Sequence, residues 1–404
     1  MEMRKASDFV LLIALSWFAI LAAHCAPALA QAQSGGFQFL GEPGPYAVGL
    51  KVVNQYDRSR TFGSTTGENG KSLIGAAGPR PIQTLIWYPA STSEGKRITV
   101  GDYAQLSRSE IHFDRPDKSN AWVAKLTAYA DVALLAKIDA PTANGRFPLV
   151  VYAPGQSSVA WDNADICEYL ASHGYVVVSG PSLGKSTRDA GDNLDDIEAE
   201  ATDISFLITY ASTWVDVDSS KVAVAGWSWG GISNLFAASH DSRIKALIAF
   251  DGSMRYYPGL IEQSGKIHPE RMTIPLLFFT RGNLSLEDWN RYSTPKNEGR
   301  SVLNAWTRGD LWTIHMLGMS HPQFSSMYQR ASSQQKFDDN RMDDYDRHDV
   351  NVSYAWVARY TLGFLNAYLK SDVGERAFLR GTPVEHGVPK HFLTVDFRAA
   401  QSTQ

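Results

Sequence analysis

The sequence predicts an α/β fold: a mostly parallel central sheet with helices on both faces and an antiparallel pair of strands at its N-terminal edge. Three observations predict it. From Phe147 to Phe250, short apolar runs alternate with longer segments of helical spacing, the pattern of parallel strands joined by crossover helices. The run Val222–Ala225 meets Gly226-Trp227-Ser228-Trp229-Gly230-Gly231 and then Ile232, Leu235 and Phe236, so a buried strand turns sharply into a helix around a serine. Once a targeting segment is set aside, the rest of the 404 residues suffices for one large domain.

That segment comes first. Arg4 and Lys5 give a basic start, Phe9–Ala23 an apolar run too short for a comfortable membrane span, and Ala28-Leu29-Ala30 a small-residue cleavage site. Residues 1–30 therefore read as a cleaved signal peptide, and the mature protein, 31–404, as exported to the periplasm or secreted, with no stable membrane anchor. A lipid anchor at Cys25 is disfavoured by the bulky His24 before it. Cys167 is then the one mature cysteine, so no internal disulfide can form.

Along the chain, residues 31–45 form an irregular lead-in. Tyr46–Tyr56 and Pro81–Pro89 are strands, expected to pair as the antiparallel edge, with a Gly/Ser/Thr-rich loop between them. Residues 97–144 read as an insertion, with a helix expected from about Asn120 to Lys137. Strands follow at Phe147–Tyr152, Tyr175–Val178, Val222–Ala225 and Ile244–Phe250, with helices at Ala160–His173, Leu194–Ser212 and Ile232–Ser239 between them. Ile274–Thr280 and Leu311–Met316 are two further strands, Asp349–Lys370 a long amphipathic helix, and His391–Val395 a last short strand.

The serine turn carries the chemistry. A turn this tight requires glycine on both sides, here Gly226 and Gly230, and it lifts the Ser228 hydroxyl clear of the sheet. A second G-x-S-x-G, Gly180–Gly184 around Ser182, also follows an apolar run. The residues after it are polar and Gly-broken, so it reads as a loop. A serine nucleophile needs a base, and that base a carboxylate to orient it. The histidines after Ser228 are His240, His268, His315, His321, His348, His386 and His391. His321 is favoured, because Gly318-Met319-Ser320-His321-Pro322 forms a turn after the last core strand. Asp251, at the tip of the strand following the serine unit, is favoured as the acid over Asp288, which stands several residues beyond its strand. The oxyanion donors expected are the backbone N–H groups of Trp229 and Gln156, the latter in the loop Ala153–Ser158. Trp161, Trp289 and Tyr256-Tyr257 are candidates for an aromatic wall, with core packing as the ordinary alternative.

The element order is that of an α/β-hydrolase. Four stretches resemble the branch holding the plasma-type platelet-activating-factor acetylhydrolases and their bacterial relatives, loosely grouped with dienelactone hydrolases. They are Trp87-Tyr88-Pro89-Ala90, Tyr152-Ala153-Pro154-Gly155-Gln156, the serine turn with Asp251 one strand later, and Gly318–Phe324 as G-x-x-H-x-x-F. The resemblance supports Asp251 as the acid. Pro154 departs from it, standing where that family usually has His. Dienelactone hydrolases proper carry Cys at the position of Ser228. Cutinase-like polyester hydrolases share a G-W-S-x-G-G turn and a Gln-Ser-Ser near the hole, but take their acid after the next strand, where this chain has Asn283.

The expectation is a serine hydrolase acting on small or lipid-like carboxylic esters through an acyl-serine intermediate, with activity falling below about pH 6 as a histidine base protonates. Alternatives are a serine peptidase on the same residues and a non-catalytic binding protein on a hydrolase scaffold. A net charge of −4 gives no footprint for nucleic acid, and no metal or nucleotide motif implies a cofactor.

Overall fold

The computed structural model describes residues 36–63, 77–92, 94–117, 121–282, 298–340 and 344–401. The expected leader, residues 1–30, lies outside them, as do Asn283, Asp288 and Trp289. The chain divides into two units, 1–36 and 37–404. Of the first only Gly36 is described; the sheet and the site belong to the second.

Eleven strands among the described residues form one sheet. They are β1 (Ala47–Phe62), β2 (Gly78–Ala90), β3 (Arg97–Thr99), β4 (Ala133–Ile138), β5 (Phe147–Ala153), β6 (Val176–Ser179), β7 (Val217–Trp227), β8 (Ile244–Phe250), β9 (Leu276–Arg281), β10 (Leu311–Met316) and β11 (Leu393–Arg398). Their spatial order is β11-β10-β9-β8-β7-β5-β6-β2-β1-β4-β3. The stretch from β6 to β10 is wholly parallel. β1 and β2 pair antiparallel, as expected, and β11 adds an antiparallel strand beside β10.

Both faces of the parallel strands are covered, which is why these strands read as unbroken apolar runs. On one face Val150 and Tyr152 of β5, Ala223, Ala225 and Trp227 of β7, and Ile248 and Phe250 of β8 pack in a core shared with the helices Ala164–Ser172 and Arg347–Leu369. The alternate residues Leu149 and Val151, Val222 and Val224, and Leu247 and Ala249 face the helices Leu194–Ala211 and Trp229–His240. Side chains alternate across a strand, so each strand feeds both layers.

The insertion departs from expectation. Instead of one helix over 120–137 it holds a short helix, Ala121–Lys125, a 3₁₀ turn, Thr127–Tyr129, and the strand β4. β4 pairs parallel with β1 at Gly49 and Leu50 and antiparallel with β3. The backbone N–H groups of Leu135 and Ala136 both donate to the carboxylate of Glu168. Those partners are distant in sequence, and periodicity cannot register them. The insertion thus extends the sheet beyond the antiparallel pair, and the serine turn follows the seventh of the described strands, two more than the strands expected before it from the sequence.

Candidate active site

Ser228 sits between β7 and the helix Trp229–His240 with φ 54° and ψ −116°, a left-handed conformation that a non-glycine residue holds only under constraint. The constraint is visible in the backbone. Ser228 N–H donates to Phe250 C=O at 3.1 Å, and its own C=O accepts from Ser253 N–H at 2.7 Å and Gly231 N–H at 3.0 Å. Two glycines allow the neighbours to close in. A Cβ on Gly230 would lie 2.1 Å from the Ala153 carbonyl oxygen, and one on Gly231 2.6 Å from the Gly252 Cα. The serine helix is therefore pressed against the loop after β5 on one side and the turn after β8 on the other. A methyl group fits at neither glycine.

His321 opens a 3₁₀ turn, His321–Phe324, after β10. The Ser320 N–H donates to the Gln323 side-chain oxygen at 2.6 Å and the Gln323 N–H to the Ser320 carbonyl at 3.1 Å, which fixes that turn, and the Trp227 indole N–H donates to the His321 carbonyl at 3.1 Å. The imidazole Nδ1 lies 2.5 Å from Asp251 Oδ2, and Nε2 lies 2.8 Å from Ser228 Oγ. A carboxylate only accepts, so Nδ1 carries the proton and Nε2 is left to accept from the hydroxyl. Ser228 and the imidazole are both partly open to solvent.

Asp251 is 0% exposed and also has positive φ, 45°. Burial pushes its carboxyl up, but the bond to His321, the His321 and Arg281 charges and the Tyr256 hydroxyl outweigh that, and its pKa ends below the usual carboxylate value. It is ionised at neutral pH.

The loop carrying Gln156 is fixed from below. Asp162 accepts from the Gly155 N–H at 3.0 Å and from the Tyr152 hydroxyl at 2.6 Å, with burial pushing its pKa up to about 6. The Asp162 carbonyl also accepts from Met327 N–H and the Ser325 hydroxyl. Next to it, Asn163 donates to the Phe324 carbonyl and accepts from Ser326 N–H and the Tyr354 hydroxyl. The helix expected from Ala160 begins at Ala164 because this turn ties the two loops together. Gln156 thus stands in the loop that abuts the serine helix, and Trp229 is the first residue of that helix.

The competing residues are placed elsewhere. Ser182 is 0% exposed and donates to Glu200 at 3.3 Å, while the buried Arg80 guanidinium clamps the carbonyls of Leu183 and Gly184. His240 and His268 sit near Glu198 and Glu270, His386 meets the Phe378 carbonyl, and His315 meets the Arg281 carbonyl. His348 and His391 are exposed. Of the wall candidates, Trp161 is core, bonded to Ser107, and Tyr256 is buried against Asp251. The aromatic rings beside the imidazole chain are Trp227, 5.3 Å from His321 between centroids, and Tyr328, 5.0 Å from Trp227. Trp122 of the insertion stands edge-on to Tyr328 at 5.2 Å. No short-range motif marks Tyr328 or Trp122.

Glu200 lies beneath the serine helix, accepting from the Ser233 hydroxyl at 2.9 Å, and burial pushes its pKa up from 4.5 to about 8. Its stability contribution as a neutral acid is complete below pH 4.5 and is lost as pH rises towards 8, because only the unfolded side chain ionises in that window. Between pH 5 and pH 8, wild type should lose on the order of 3 kcal/mol relative to Glu200→Gln. Urea titrations of both proteins across that range test this, and parallel stability curves would refute it.

Comparison with known proteins fits the architecture. The sequence model of the chlorophyllase family matches residues 119–253, about a third of the chain. Cutinase 2 of Thermobifida cellulosilytica is 35% identical over 118 residues, covering 27% of this chain and 40% of that protein. A putative carboxymethylenebutenolidase of Yersinia pestis is 29% identical over 133 residues, 30% of this chain and 49% of that one. The chain thus matches less than half the length of either relative. A ferulic acid esterase from Streptomyces cinnamoneus superposes over 90% of this chain and 99% of its own, with a TM-score of 0.60 and 18% identity, a likeness of fold. The chain is an α/β-hydrolase by fold.

Proposed function

We propose that this α/β-hydrolase is a serine esterase that cleaves carboxylic esters through an acyl-serine intermediate. The observation that carries the reading is the unbroken hydrogen-bonded line from Ser228 Oγ through His321 to Asp251. His321 Nε2 takes the hydroxyl proton as Oγ attacks the ester carbonyl carbon, and Asp251 holds the ring and stabilises its charged form. The tetrahedral oxygen is assigned to the N–H groups of Trp229 and Gln156, one at the start of the serine helix and one in the loop pressed against it. His321 then returns the proton to the leaving alcohol, and the serine ester remains. Water, deprotonated by the same imidazole, attacks that ester; the bond to Ser228 Oγ breaks as the imidazolium returns the proton to Oγ, and the acid is released.

An acid taken from the strand directly after the serine unit favours the acetylhydrolase-like arrangement. Trp227 against the imidazole, with the partly exposed Tyr328 packed on Trp227, favours an apolar small or lipid-like ester. We further assign residues 1–30 as an export signal and place the mature protein in the periplasm or outside the cell, on the basic, apolar and small-residue order of that segment. Among the described residues no helix is long and apolar enough to cross a membrane. The test is hydrolysis of p-nitrophenyl esters of graded acyl length together with labelling by a fluorophosphonate. A protein that hydrolyses none of them and takes no label at Ser228 is not a serine esterase.

A further inference from the structure

We propose that Arg281 and Tyr256 are positioning residues for the Asp251–His321 pair, holding the carboxylate in one orientation and weakening the pair's hold on a proton. The role in turnover rests on the esterase reading, but the effect on the proton does not. Two oxygens of a fully buried carboxylate receive donors from three elements. Oδ2 faces His321 Nδ1 at 2.5 Å and Arg281 Nε at 3.1 Å. Oδ1 accepts from the Tyr256 hydroxyl at 2.6 Å and lies 3.4 Å from the Arg281 backbone N–H. The guanidinium also lies over the Tyr256 ring, 4.8 Å from its centroid, so the two clamp residues brace each other.

The placement is specific. Arg281 ends β9, the strand next to the one that Asp251 follows. At that tip this chain presents a cation aimed at an acid one strand earlier. A guanidinium stays charged at every working pH, so it is a fixed positive charge against the Asp–His pair. A positive charge there opposes protonation of the pair as a whole, whichever member is assigned the proton.

Other charged groups also face this cluster. Arg255, in the turn after β8, donates to the Thr280 hydroxyl. The imidazole Nε2 of His315, on β10, lies 3.1 Å from the Arg281 carbonyl, and Asp396 of β11 acts on His315. Burial and the Arg255 charge lower the His315 pKa from the usual imidazole value.

The test reads the proton directly. NMR titration of the His321 imidazole in wild type, Arg281→Gln, Arg281→Lys and Tyr256→Phe is paired with pH profiles of kcat/KM on p-nitrophenyl acetate. Arg281→Gln should raise the midpoint, and with it the acid limb, by about one pH unit. Arg281→Lys should restore most of the midpoint, because the charge remains, while kcat stays reduced through loss of the fixed fork. Tyr256→Phe should raise the midpoint by a smaller amount. If Arg281→Gln does not fold, Tyr256→Phe must still shift the titration. An unshifted midpoint in the folded variants overturns the proposal. A shifted midpoint in a protein that turns over no ester overturns the esterase reading instead and leaves the clamp standing.

Discussion

Ser228→Ala should lower kcat on p-nitrophenyl acetate by about 10⁴-fold or more, to the residue of catalysis that an oxyanion site and binding supply by themselves. The expected size follows from the chemistry. Without Oγ no acyl-serine can form, and the only remaining route is direct attack by water within the same site. The substitution removes one oxygen at a partly exposed position and keeps the backbone bonds that hold the turn, namely those to Phe250, Ser253 and Gly231. Serine already holds φ 54° with a Cβ, so alanine adds no strain there, and the thermal midpoint should stay within a few degrees of wild type. Fluorophosphonate labelling should vanish in parallel. A variant that stays active while folded would remove Ser228 from the mechanism.

Asp251→Asn should cost about 10³- to 10⁴-fold in kcat. The amide offers Nδ2–H₂ or Oδ1 to the imidazole but no charge. The imidazole then loses both the partner that fixes its tautomer and the counterion for its charged form. The side chain is fully buried with Tyr256 and Arg281 on it, so the variant also leaves a guanidinium without its anion. Loss of stability therefore accompanies loss of rate, and the rate must be measured well below the thermal midpoint. Asp288→Asn is the matched control and should leave kcat within about twofold of wild type. Equal loss in both variants would mean that Asp251 is not the orienting acid.

Legibility in the sequence tracked dependence on neighbours in the chain. β5 to β9 lie between two helical layers, so their apolar runs are continuous and need no partner to be recognised. Ser228 was legible for the same reason: strand, glycine, serine, glycine and helix are consecutive. β4 was not, because residues 133–138 carry apolar side chains at spacings that suit helix or strand. The choice was made by Glu168 and by the edge of β1. For Trp161 the sequence leaves wall and core both open; it is core, and its indole N–H finds Ser107 more than fifty residues earlier. The most informative omission is Arg281. Taken alone it is one arginine before a glycine, and only the lateral pairing of β8 with β9 aims it at Asp251.

The turn at Asp162 and Asn163 has a dynamic consequence. Because it anchors both the Gly155 amide and the chain from Phe324 to Met327, the proposed donor loop and the base loop are one cooperative unit. A fluctuation that frees one releases the other, so local opening would switch the site off in a single event below the global unfolding free energy. Native-state hydrogen exchange should then report the same opening free energy at the Gly155 and Met327 amides. Clearly different values would mean that the two loops open separately.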